Sequence, residues 1–229
     1  MFYSYCILFF IYSFLGWIME VTLTLITDKK FVNRGFLLGP CCPIYGCGCI
    51  LLNLLLHNYT NNILVLFILT MFTCSLLEYI TSFLMEKIFK LRWWDYSQMK
   101  FNINGRICLE TMTPFSILGV LAIKFATPFF ITNINKLSEK TILIISIILI
   151  TLFIIDVIIS LTIVFKLKFV SKNIKKDSTL DIKNAIKKFI KNDIYVYERI
   201  IESFPNLTKS LKEKALKLKK KSKIRLFEK

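Results

Sequence analysis

The sequence predicts an all-α fold, a polytopic membrane helix bundle of about five transmembrane helices with a cytoplasmic amphipathic helical tail. Three observations carry this expectation. The chain has 229 residues, 55% of them hydrophobic, with a mean hydropathy of +0.59, above the usual share for a soluble domain. The apolar residues gather into runs of roughly 20, the length that crosses the hydrocarbon of a bilayer. Lys and Arg concentrate in alternate connections between those runs, as cytoplasmic loops require.

The first run, residues 2–27, contains one charged residue, Glu20. It has no basic leading region and no small-residue cleavage site before Asp28, so it is expected to stay as a helix and not to be removed as a signal peptide. The second, 35–56, opens on Gly35 and Gly39 in a GxxxG pattern, followed by Pro40, Pro43, Gly46 and Gly48. That composition predicts a helix with a broken start, packed closely on a neighbour. The remaining spans are expected near 63–85, 107–123 and 141–165, closing a transmembrane domain over 1–165.

Orientation follows from the connections. The segment 28–34 carries three Lys or Arg residues, 57–62 none, 86–106 five, 132–140 two, and the tail from 166 onward twenty. With five spans this places the N-terminus outside and the C-terminus in the cytoplasm of a cell-membrane, multi-pass protein.

The tail, 166–229, holds 20 basic and 7 acidic residues and so supplies +13 of the net charge of +16. A local excess next to a membrane helix serves topology and attraction to the anionic inner leaflet, so membrane lipids are the expected partner and nucleic acid is not. Within it Ile182, Ile186, Phe189, Ile190, Ile194, Tyr197, Ile200, Ile201 and Phe204 recur at helical spacing, interleaved with Lys183, Lys187, Lys188 and Lys191. An amphipathic helix is expected near 180–204, lying on the membrane, on a partner protein or on the chain's own bundle.

The two halves of the membrane part echo each other weakly, as a parallel repeat would. Glu20, Asn33, Arg34, Gly35 and Pro40 in the first correspond to Glu78 or Glu86, Asn104, Gly105, Arg106 and Pro114 in the second.

An ionised side chain at membrane depth costs about 2.5–3.5 kcal/mol on insertion scales, so each needs a partner, a cavity or a proton. Glu20, Glu78, Glu86, Glu110 and Asp156 all fall at mid-depth or in the inner half of the bilayer on this topology. Ser13, Trp17, Glu20, Thr24 and Thr27 share one face of the first helix, and Glu78, Ser82 and Met85 one face of the third. Arg34, beside Asn33, and Arg106, beside Asn104, are the natural counter-charges, because a guanidinium can clamp a carboxylate or phosphate through two bonds. Two readings stay open. The charges fix helix register as internal ion pairs, or they line an inward-facing polar cavity for a polar solute or an anionic headgroup.

Trp93, Trp94, Asp95 and Tyr96 combine rings and charge beside a membrane helix, which predicts an interfacial anchor or, alternatively, a lid over the cavity. Cys41, Cys42, Cys47 and Cys49 match no zinc spacing, and no His lies near them. No metal is expected. The single histidine, His57, sits at the outer end of the second span, away from the inner charges. No P-loop occurs, so no cofactor is expected and an energy source would come from a separate ATPase subunit or an ion gradient.

Several motifs in order give the sequence a family resemblance. They are Phe14-Leu15-Gly16-Trp17 with Glu20, Asn33-Arg34-Gly35-Phe36-Leu37 with Gly39-Pro40, Pro43-Ile44-Tyr45-Gly46, Leu77-Glu78-Tyr79, Glu86, Trp93-Trp94-Asp95-Tyr96-Ser97, and Asn102-Ile103-Asn104-Gly105-Arg106-Ile107-Cys108-Leu109. Across roughly 14–119 the chain resembles the CmpB-type family of bacterial multi-pass membrane proteins, ABC-transporter type IV permeases. The resemblance implies a transporter component and supplies no substrate. The Glu-Ala-Ala coupling segment of importer permeases is missing, which leaves 86–106 as the surface where an ATPase would dock.

The leading expectation is thus a transporter permease subunit, not an enzyme, with an inward-facing polar cavity, acting with an ATPase or as a homo-oligomer. An enzyme acting on lipid headgroups, with Arg34 and Arg106 holding phosphate, is the first alternative. A membrane scaffold or sensor working through the tail is the second.

Overall fold

The computed structural model describes residues 2–89 and 92–173. The helix expected near 180–204 lies outside the described residues. Among the described residues six α-helices follow in order: α1 (Phe2–Asp28), α2 (Pro43–Leu56), α3 (Ile63–Phe89), α4 (Leu109–Leu121), α5 (Thr127–Ile134) and α6 (Glu139–Asn173). Four stretches of the described residues are long and apolar enough to cross a membrane: α1, α3, Leu109–Ile134 and the Glu139–Phe165 part of α6. A short antiparallel pair, β1 (Asn102–Ile103) and β2 (Ile107–Cys108), closes the connection before α4 in the register Asn102 to Cys108 and Ile103 to Ile107.

The expected second span differs most. Only Pro43–Leu56 is helical, about 21 Å of rise against about 30 Å of hydrocarbon. Residues 35–42 approach it as irregular chain. Gly35 has φ +117°, Pro40 brings no N–H, and Pro43 starts the helix from its first turn, where a missing N–H costs nothing. Irregular backbone at membrane depth survives only if the protein satisfies it. Here the Asp156 carboxylate of α6 accepts the Leu38 N–H at 2.9 Å and the Gly39 N–H at 2.8 Å. The Leu38 carbonyl accepts Asn33 Nδ2 at 3.1 Å, and the Cys42 N–H donates to the Ser13 carbonyl at 2.9 Å. The GxxxG pair therefore sits outside any helix. Close helix packing comes from Gly46, where a Cβ would collide with Ser13 and the Phe9 carbonyl, and from Gly16, where it would collide with Tyr45.

The fourth span also runs past its expected end at 123. A π-helical turn over Ala122–Ala126 links α4 to α5, with the Thr127 N–H reaching the Ala122 carbonyl. Pro128 explains the wide turn. Its ring denies the Lys124 carbonyl an α-helical bond, and widening the helix by one residue moves the register around it. Lys124 is consequently inside the span.

Contacts at the helix ends fix alternating chain direction. At one end Ser4 Oγ donates to Asn135 Oδ1, Asn53 Nδ2 donates to Tyr5 Oη, and Ile7, Ile134 and Ile142 pack together. At the other, Phe89, Trp93 and Val164 form a buried cluster with Phe36. Lys29, Lys30, Arg34, Lys87, Arg92, Lys100 and Arg106 all belong to this second end. Outward faces remain apolar, as on α6, where Ile144, Leu152 and Ile158 are each more than half exposed, the arrangement a lipid-facing helix needs.

Candidate functional site

A cavity of about 1170 Å³ lies between α1, α2, α3 and the α4–α5 helix, and its chemistry is graded along its length. The walls are apolar over most of it, with Leu52, Leu77, Phe115, Leu118, Phe125 and Phe129 among the lining side chains. Charge collects at the end nearest the basic loops, where Glu20, Arg34, Glu78, Tyr45, Thr81 and Tyr96 line it together with Trp93 and Trp94.

Each polar residue is placed by its element. Glu20 is on the inner face of α1, and its carboxylate accepts the Tyr45 hydroxyl of α2 at 2.5 Å. One turn on, the Thr24 hydroxyl donates to the Glu20 carbonyl at 2.9 Å and accepts Arg34 Nε at 2.9 Å. That bond anchors the guanidinium to α1 through Nε. Arg34 is further set by its neighbour Asn33, whose Oδ1 accepts Trp17 Nε1 at 2.6 Å. Glu78 on α3 is 8% exposed, and its carboxylate accepts the Tyr96 hydroxyl at 3.1 Å. Tyr96 is brought in by its main-chain N–H, which donates to the Gly105 carbonyl at 2.8 Å. Burial first, then the carboxylates of Glu78 and Glu20, push its phenol well above the ordinary tyrosine range. Tyr96 thus stands within electrostatic reach of both acids. Among the described residues, neither acid has a basic partner and Arg34 has no carboxylate partner.

The other charges serve the scaffold. Arg106 Nη2 pairs with Glu86 Oε2 at 2.8 Å, Nη1 donates to Ser82 at 3.3 Å, and the guanidinium lies over the Phe83 and Tyr79 rings. Glu86 also meets Arg92 at 3.4 Å, and Arg92 meets Asp95 at 3.0 Å. This chain of charges straps the β1–β2 hairpin to α3. Asn104 Nδ2 donates to the Tyr79 hydroxyl at 2.9 Å and Trp94 Nε1 to the Arg106 carbonyl at 3.0 Å, adding two more ties. Asp95 is nudged upward by partial burial, but hydrogen bonds from Ser97 and Arg92 and the Arg92 charge outweigh this and hold its carboxyl below the usual range. Glu110 is exposed in the first turn of α4, and Asp156 is committed to Leu38 and Gly39.

Of the residues singled out in the sequence, the cavity collects Glu20, Arg34, Glu78, Trp93, Trp94 and Tyr96. It does not collect Trp17, Asn33, Glu86, Asp95, Asn104, Arg106, Glu110 or Asp156. Trp93 is buried against Phe89 and Phe36, not turned to lipid. Tyr45 and the Phe115 to Phe130 wall carried no assigned role in the sequence. Tyr45 was visible in Pro43-Ile44-Tyr45-Gly46, but an aromatic in an apolar run reads as core until its acid partner is known.

Apolar spans long enough to cross a bilayer, packed around a cavity with charges at one end, define a membrane protein. The family comparison agrees. The family described as "Putative ABC-transporter type IV" (ABC_trans_CmpB) matches residues 7–161, and the chain belongs to it. The match is wider than the motif-bearing stretch 14–119 and takes in α5 and most of the apolar part of α6. No curated protein and no solved structure matches the chain.

Proposed function

We propose that the chain is the permease subunit of a transporter and that its cavity receives solute from the cytoplasmic side. The observation that carries this is the cavity itself, whose charged end, formed by Glu20, Arg34 and Glu78, lies at the end that gathers seven of the basic loop residues. Cytoplasmic loops are the basic ones, so that end faces inward and the N-terminus outward. The energy source is a separate ATPase. Its docking surface is the hairpin, where Met99, Phe101 and Ile103 are exposed around Lys100 at the basic end. The enzyme alternative is weaker, because Arg106, needed as half of a phosphate clamp, is engaged by Glu86 on α3.

The test is ATP-dependent accumulation in inside-out vesicles from cells with and without the chain, over a panel of anionic, zwitterionic and cationic amphiphiles. At least one should accumulate only when the chain is present, and Glu78→Gln should reduce it. No chain-dependent accumulation of any member would overturn the reading.

A further inference from the structure

The cavity's charges do not balance. Two carboxylates, Glu20 and Glu78, face it, against one guanidinium, Arg34, and among the described residues both acids are held only by the neutral hydroxyls of Tyr45 and Tyr96. A buried carboxylate without a positive partner is among the costliest groups a membrane protein can carry. The same end carries Trp94, Tyr45 and Tyr96, and aromatic rings beside carboxylates are the chemistry that holds weakly hydrated cations. Beyond that end the walls turn apolar and continue along α4 and α5 from Phe115 to Phe130, about 22 Å of helix. From this we propose that the cavity binds a lipophilic cation. The positive centre lies between Glu20 and Glu78, and the apolar body lies along the Phe115 to Phe130 wall. Arg34, bonded to Thr24 and to neither acid, lowers the cavity's formal charge to one negative and leaves both carboxylates open to the ligand.

The proposal names the solute class of the transport reading, but its test reads binding alone, so either can fail without the other. Purified full-length protein in a non-ionic detergent is titrated with tetraphenylphosphonium and, separately, with tetraphenylborate, an anion of the same shape. Empty micelles correct for partitioning. Tetraphenylphosphonium should bind with one site per chain and tetraphenylborate should not saturate. Glu20→Gln and Glu78→Gln each keep an acceptor for their tyrosine and should weaken cation binding about ten-fold, the loss of one charged contact. Arg34→Gln, which removes a like charge from the cavity, should tighten it. Glu110→Gln, outside the cavity, should not change it. Saturable tetraphenylborate binding lost in Arg34→Gln would overturn the proposal in favour of an anion site. Binding of neither ion, or cation binding indifferent to both Glu variants in protein that elutes as the parent does, would overturn it outright.

Discussion

Replacing Asp156 tests whether a single carboxylate on α6 holds the irregular segment ahead of α2. Its Oδ1 accepts the Leu38 N–H at 2.9 Å and the Ser160 hydroxyl at 3.1 Å, and its Oδ2 accepts the Gly39 N–H at 2.8 Å. Gly39 permits this approach, since a Cβ there would stand 2.9 Å from Oδ2. Asp156→Ala leaves two backbone donors without partners at membrane depth. Each orphaned donor costs about 1–3 kcal/mol, so the pair costs about 2–6 kcal/mol, and about 3 kcal/mol lies in the lower half of that range. About 1.4 kcal/mol is a factor of ten, and the opening equilibrium of 35–42 should therefore rise by about a hundred-fold or more. Cys42 reports it directly, being 5% exposed with its N–H bonded to the Ser13 carbonyl. Site-resolved mass spectrometry of maleimide labelling should find Cys42 protected in the parent and rapidly modified in Asp156→Ala. Asp156→Asn keeps one acceptor and should fall between them. Equal Cys42 labelling in parent and Ala variant would refute the idea that this carboxylate, and not the packing of Val32 and Leu37, secures the segment.

Three further outcomes follow from the hairpin and the helix contacts. Gly105→Ala should destabilise the hairpin by about 1–3 kcal/mol, because φ is +66° and the new Cβ would meet Asp95 Oδ1 and Arg92 Nη1; faster hydrogen exchange at Tyr96 and Arg106 measures it. The Ser97 amide bonded to Asp95 should keep its exchange protection, after correction for intrinsic rate, from neutral pH down to the ordinary carboxylate range near about 4, and lose it only below. The sign follows because the folded carboxyl sits below its ordinary value, so its contribution is present above that value and lost as pH falls through the folded one. Gly46→Leu should prevent α1 and α2 from closing, since even a Cβ collides with Ser13 and Phe9, and a lowered melting midpoint in detergent with poor monodispersity is the expected result.

The sequence made the membrane class and the sites of chain reversal legible because hydrocarbon thickness and loop charge act on local composition, which is written residue by residue. It did not disclose the true start of α2. Residues 35–42 are as apolar as a helix, and what keeps them irregular is a carboxylate 118 positions from Leu38. The end of the fourth span was hidden for a related reason. Lys124 looks like a boundary, whereas Pro128 turns the helix through a π register and carries it on to Ile134. For the site, polarity at depth picked out Glu20, Glu78 and Arg34, but the same criterion picked out Glu86, Arg106 and Asp156. Only the partners separate the two groups, and those partners come from other helices, from the hairpin and from the irregular segment before α2.

That separation bears on function through the kind of compensation each acid receives. Asp156 is met by backbone amides that have no other acceptor among the described residues, and Glu86 by two guanidinium groups, so displacing either carboxylate would strand a donor or a charge. Glu20 and Glu78 are met by the phenol hydroxyls of Tyr45 and Tyr96, which line the same cavity. Their charge is not neutralised by the protein among the described residues. A structural acid needs the first kind of partner and a binding acid the second. The two clasps also differ in what they join, Tyr45 tying Glu20 across α1 and α2, and Tyr96 tying Glu78 to the hairpin at the basic end. A cation drawn between the carboxylates would compete with both clasps at once. Occupancy at depth would then be felt at the hairpin, the surface on which an ATPase would sit.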